Sequence, residues 1–132
     1  MATLKIYYQN VRGLRTKTNI VFRGVCLSSY DIIIFTETWL DDSFNSSELF
    51  DGRYLVWRRD RDYSRTGQLR GGGVLIAVKH ELTIVERLDW RSSAEDIWLS
   101  LILKKSKPQV SYNLHICALY LCKENLGNSY ST

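Results

Sequence analysis

Proline is nearly missing from this sequence: the 132 residues contain one, Pro108, where a chain of this length typically carries about six. Cysteine is scarce and odd in number, and Cys26, Cys117 and Cys122 show no Cys-X-X-Cys spacing. That excludes a disulfide framework or a zinc knuckle and points to a reducing compartment. No apolar run approaches the ~18 residues of a membrane helix, and Met1-Ala2-Thr3-Leu4-Lys5 lacks the charged and apolar regions of a signal peptide. These absences predict an intracellular chain with no membrane segment. Only two histidines occur, His80 at a turn and His115 within an apolar run. Neither has a nucleophile or metal partner at a usable spacing, so structural roles are expected for both.

What is present is ordinary globular composition: 45% hydrophobic, 24% charged and 12% aromatic residues, enough apolar surface to argue against disorder. The net charge of +4 is confined to one segment. Arg53, Arg58, Arg59, Arg61, Arg65 and Arg70 stand there against Asp60 and Asp62, while the remaining residues balance at 12 basic and 12 acidic. Guanidinium groups match phosphate oxygens and position a protein on a polyanion without reading its sequence. Two readings of the segment stay open: a solvated loop with local Arg–Asp pairs, and a phosphate-gripping loop.

The hydrophobic pattern predicts a strand over Leu4–Gln9 ending at Asn10, a helix from Thr16 or Thr18 to about Ser29, and a doubly buried strand over Asp31–Thr36. This succession is a βαβ unit with parallel strands. In the helix, Val21/Val25 and Phe22/Cys26 form a candidate core stripe. Further expectations are a short helix over Ser46–Phe50 and strands at Tyr54–Trp57, Val74–Val78, Leu82–Glu86, Asp96–Leu103 and Tyr112–Tyr120. Ile97, Leu99, Leu101 and Leu103 fall on one face of their strand, and Leu114, Ile116, Ala118 and Tyr120 on one face of theirs. The fold class expected is α/β tending to α+β, with a mixed sheet. The domain is expected to span 1–122, with 123–132 a poorly ordered tail.

In a parallel pair, the carboxyl ends of the strands share the edge where open sheets place ligands. Asn10 and Glu37 occupy those ends, and a carboxylate beside a carboxamide suits a hard divalent cation such as magnesium. Each residue taken singly also reads as a turn former or a surface acid. Gly71-Gly72-Gly73 lacks the lysine and hydroxyl residue of a nucleotide loop and precedes a strand, so close backbone packing accounts for it better than a phosphate cradle.

Four stretches then occur in order: Gln9-Asn10-Val11-Arg12-Gly13-Leu14, Thr36-Glu37-Thr38-Trp39-Leu40, Arg58-Arg59-Asp60-Arg61 and Gly71-Gly72-Gly73-Val74-Leu75-Ile76. Together they closely resemble the N-terminal half of the endonuclease/exonuclease/phosphatase superfamily, nearest the apurinic-endonuclease-like domains of non-LTR retrotransposons of the jockey type. The resemblance runs from Leu4 to Tyr120. It implies part of a two-sheet α/β sandwich with mixed sheets flanked by helices, and Mg2+- or Mn2+-dependent cleavage of a DNA strand. It also implies a nuclear setting if the parent element's role is kept, and no small-molecule cofactor. On it, Glu37 and Asn10 correspond to metal-supporting residues and Tyr120 to a tyrosine that hydrogen-bonds the scissile phosphate. Arg12, Arg58, Arg59, Arg61 and Arg65 become candidate DNA-backbone contacts.

The family's later motifs, one like Gly-Asp-Phe-Asn and one like Ser-Asp-His, do not occur in these residues. With them go the groups that activate water, so the chain is expected to be a truncated domain, inactive alone and lacking its C-terminal half as partner. Two alternatives stand beside this: a non-catalytic nucleic-acid-binding remnant using Arg53–Arg70, and a phosphomonoesterase of the same superfamily.

Overall fold

The computed structural model describes residues 3–62, 71–106 and 108–121. The chain runs through β1 (Ile6–Asn10), α1 (Thr18–Leu27), β2 (Ile32–Thr36), β3 (Tyr54–Arg59), β4 (Val74–Lys79), β5 (Thr83–Glu86), β6 (Glu95–Ser106) and β7 (Gln109–Tyr120), with single 3-10 turns at Ser46–Glu48 and Leu88–Trp90. The predicted tail from 123, with Arg65 and Arg70, lies outside the described residues.

Two sheets form, with strand orders β1-β2-β4-β3 and β5-β6-β7. β1 and β2 pair in parallel, Ile6 opposite Ile32 and Asn10 opposite Thr36, as the βαβ reading requires. β4 runs antiparallel to both β2 and β3, so the first sheet is mixed; the second is antiparallel throughout. The class is α+β.

The central strands are buried on both faces because their residues serve two cores. From β2 and β4, Ile33, Phe35, Leu75 and Ala77 point to one side, where they meet Val21 and Val25 of α1 and the loop residues Leu14, Leu40 and Phe50. Their neighbours Ile32, Val74, Ile76 and Val78 point to the other side and pack with Ile97, Leu99, Leu101, Ile116 and Ala118 of the second sheet. Each such aliphatic side chain removed from water contributes roughly 1.5–3 kcal/mol, which explains the unbroken apolar runs in β2 and β4.

Several local expectations change. Only one track of α1 is core, since Phe22 and Cys26 are exposed. Its N-cap position falls on Lys17, with no side-chain cap from Thr16 or Thr18. The helix over Ser46–Phe50 shrinks to one turn, capped by the Asn45 carboxamide accepting from the Ser47 amide. Arg58 and Arg59 are strand residues of β3 rather than part of a loop. Cys26 and Cys117 are free thiols. Among the described residues no helix is long and apolar enough to cross a membrane.

Candidate functional site

The parallel pairing of β1 and β2 brings their carboxyl ends together, and the segments that follow stay zipped. The Val11 amide donates to the Thr36 carbonyl at 2.9 Å, Gly13 to Glu37 at 2.8 Å and Leu14 to Thr38 at 3.1 Å. The glycine triplet closes the other side, where Thr38 and Trp39 amides donate to the carbonyls of Gly73 (3.3 Å) and Gly72 (3.0 Å). Residues 11–14, 36–40 and 71–73 thus form one fixed loop cluster at the sheet edge.

Its backbone is strained. Arg12, Glu37 and Trp39 hold φ of 48°, 56° and 56°, the three positive-φ non-glycine residues among those described. Such conformations cost of order 1–2 kcal/mol each and cluster at functional sites, where the surroundings over-determine them. The glycines are there for close approach. A Cβ on Gly13 would fall 2.6 Å from Cε3 of Trp39, and one on Gly73 would collide with the Thr38 hydroxyl. Trp39 therefore packs on the loop backbone.

Asn10 is exposed and Glu37 half-buried. Among the described residues, none hydrogen-bonds or pairs with the side chains of Asn10, Arg12 or Glu37. No three His, Cys, Asp or Glu side chains group as a ready metal cage there or elsewhere among the described residues. What the edge provides is one carboxylate, one carboxamide and one guanidinium, all unengaged.

Tyr120 reaches the same end of the molecule by a different route. As the last residue of β7 it lies opposite Glu95. The Glu95 carboxylate accepts from the Gly73 amide at 2.7 Å and from Arg61 Nη2 at 3.0 Å, while the Arg61 guanidinium sits 5.5 Å from the Tyr120 ring centroid. Glu95 thereby links the glycine triplet to Tyr120. It is a residue the sequence reading passed over; its only signal was the acidic pair Glu95-Asp96 opening an apolar strand.

Of the two readings of the arginine segment, local Arg–Asp pairing is met at Arg58 and Asp60, while Arg59 and Arg61 find carboxylates far along the chain. Arg58 pairs with Asp60 at 2.6 Å and donates to the carbonyls of Phe44 (2.7 Å) and Asp41 (2.8 Å). Arg59 pairs with Asp96 at 2.7 Å and donates to the Ser92 carbonyl. Arg61 is 7% exposed and paired with Glu95. Burial on its own would raise the Asp96 pKa, but the Ser92 hydroxyl and amide, the Trp98 indole and Arg59 together outweigh it and hold the carboxyl below its ordinary value. These three arginines tie β3 to the neighbouring loops and to the second sheet. The two histidines lie apart from the edge: His115 Nδ1 is 2.7 Å from the Ser100 hydroxyl, and His80 stands beside Glu81.

No protein-family model and no curated protein matches this chain.

Proposed function

We propose that the chain is the N-terminal part of a metal-dependent phosphodiesterase of the endonuclease/exonuclease/phosphatase type, built to nick DNA, with its two sheets forming part of an α/β sandwich flanked by helices. The observation that carries this reading is that Asn10 and Glu37 stand at the carboxyl ends of paired parallel strands, Glu37 on left-handed backbone, with neither side chain engaged among the described residues. Stored strain beside unengaged polar groups is the pattern of a site held ready for a ligand.

The donor set fits magnesium. Mg2+ takes one or two protein carboxylates and completes its shell with water and phosphate oxygens, and the edge supplies hard oxygen donors of that kind. When bound, the ion supplies charge neutralisation at the phosphate and acidifies its bound water. Glu37 and Asn10 hold it; Arg12, on the same loop, faces the flanking DNA backbone; and Tyr120 positions the phosphate through its hydroxyl. A general base must reach the proton it removes. None stands at the family's position in these residues, so the 132-residue chain alone leaves a supercoiled plasmid intact.

The remnant reading, with Arg53–Arg70 as the binding surface, draws less support, because Arg58, Arg59 and Arg61 already hold carboxylates. The two readings separate in one experiment: anisotropy of a labelled DNA duplex titrated with the chain, in magnesium and in EDTA. Magnesium strengthens binding in the wild type and not in Glu37→Ala. Equal affinity under all four conditions overturns the proposal, as does magnesium-dependent nicking that survives Glu37→Ala.

A further inference from the structure

A left-handed backbone at a residue other than glycine persists only where its surroundings dictate it. At Glu37 (φ 56°) and Trp39 (φ 56°) those surroundings are main-chain hydrogen bonds on two sides. The Gly13 amide donates to the Glu37 carbonyl, and the Thr38 and Trp39 amides donate to the carbonyls of Gly73 and Gly72. The placing of Glu37 therefore depends on the glycine triplet. That triplet is itself left-handed throughout, with φ of 106°, 65° and 88°, and has no side chains with which to fasten itself.

Glu95, at the start of β6, supplies a fastening from outside. Its Oε1 accepts from the Gly73 amide at 2.7 Å. Its Oε2 accepts from Arg61 Nε at 3.2 Å and Nη2 at 3.0 Å, a charge-assisted fork that orients the carboxylate. The Arg61 side chain is 6% and the Glu95 side chain 19% exposed, so little solvent screens the pair. A Cβ on Gly72 would collide with both Arg61 Nε and Glu95 Oε1, so the pair also packs against the triplet. Both oxygens of Glu95 are engaged and its charge is matched. It braces the strand-end loops without competing with Glu37 for a cation.

Tyr120 belongs to the same arrangement. It lies opposite Glu95 in the β6–β7 ladder, and the Arg61 guanidinium stands over its ring. One carboxylate thus faces the loop of Glu37 and, through its guanidinium, the face of Tyr120.

We propose that Glu95 is a positioning residue of the strand-end site: held by Arg61, it fixes the glycine triplet, the triplet fixes residues 37–39, and Glu37 is thereby preset for a divalent cation. The inference rests on the reading of Glu37 as a metal ligand and deepens it with a residue that acts through others. Presetting raises affinity because less conformational freedom is lost on binding.

The test follows Mn2+ broadening of residues 10–13 and 36–39, and amide exchange at Thr38 and Trp39, in the whole chain. Glu95→Ala should raise the half-saturating Mn2+ concentration at least about tenfold, since a hydrogen bond to a charged group is lost. The same variant should speed exchange at Thr38 and Trp39 at least about tenfold. Glu95→Gln, with one oxygen to divide between Gly73 and Arg61, should weaken Mn2+ binding about threefold, and it decides the matter if Glu95→Ala fails to fold. Asp96→Asn discharges the neighbouring pair with Arg59 and should lower stability while keeping the wild-type Mn2+ affinity. Wild-type affinity in the folded Glu95 variants, unchanged exchange, or equal weakening in Asp96→Asn overturns this inference and leaves the metal reading standing. Wild-type protein that shows no selective broadening overturns both.

Discussion

The arginines of residues 53–61 and the polar side chains at the ends of β1 and β2 differ in what they already hold. Arg58, Arg59 and Arg61 each grip a carboxylate, and Arg58 and Arg59 also grip main-chain carbonyls, so their charge is turned inward to fasten loops and sheets. Arg12 and Glu37 stand on left-handed backbone, and the side chains of Asn10, Arg12 and Glu37 grip nothing among the described residues. A concentration of positive charge in the sequence thus marks architecture here, while the three polar side chains at the strand ends stay unengaged among the described residues. Charge counts identify where counterions are needed; they do not say whether the protein supplies those counterions itself.

Substitutions on the two sides of this contrast should behave oppositely. The largest effect is expected at the scaffold of the open edge, where Gly73→Ala adds a Cβ against Thr38 at a φ of +88°. Left-handed strain and overpacking together should cost about 3–4 kcal/mol, read as a lower urea midpoint. Asp96→Ala follows at about 3 kcal/mol, because it leaves the Arg59 guanidinium without its partner. Its pH signature is distinct. The folded-state pKa of Asp96 is depressed, so its stabilisation is complete above the unfolded value of about 4 and is lost as pH falls through the folded value. The gap between wild-type and Asp96→Ala midpoints should therefore narrow below about pH 4.

Arg58→Ala should cost about 2 kcal/mol of stability, through the carbonyls of Phe44 and Asp41 and the carboxylate of Asp60 that it strands. Arg12→Ala should leave the urea midpoint within ~0.5 kcal/mol yet flatten the salt dependence of DNA binding by about one phosphate contact. An Arg58→Ala protein of unchanged stability and weakened DNA affinity would invert the comparison. The smallest stability effect is expected for Glu37→Gln, within ~0.5 kcal/mol of wild type, because no described group depends on that carboxylate.

Much of this architecture was legible from side-chain alternation. The βαβ unit, the doubly buried β2 and β4, and the apolar faces of β6 and β7 follow from periods that burial imposes, and the close-packing reading of Gly71-Gly72-Gly73 is met in the collision a Cβ would cause at Gly73. What sequence could not convey was long-range pairing. Arg59 meets Asp96 across 37 positions and Arg61 meets Glu95 across 34, distances at which charge pattern carries no register. The exposure of Phe22 and Cys26 was hidden for a related reason. Helical spacing identifies a stripe but not how wide a neighbour covers it. The side-by-side ends of β1 and β2, with Asn10 opposite Thr36, were legible because strand ends and parallel topology are both local consequences of the chain.

The reading as a whole turns on whether the side chains of Asn10 and Glu37 seat a divalent ion. Manganese is the direct probe, since its paramagnetism broadens nearby amide signals in the intact chain without any turnover. Substoichiometric Mn2+ should broaden residues 10–13 and 36–39 selectively, and Glu37→Ala should abolish the effect. Broadening that is uniform, centred elsewhere or unchanged in Glu37→Ala would contradict the metal site and the nuclease proposal with it.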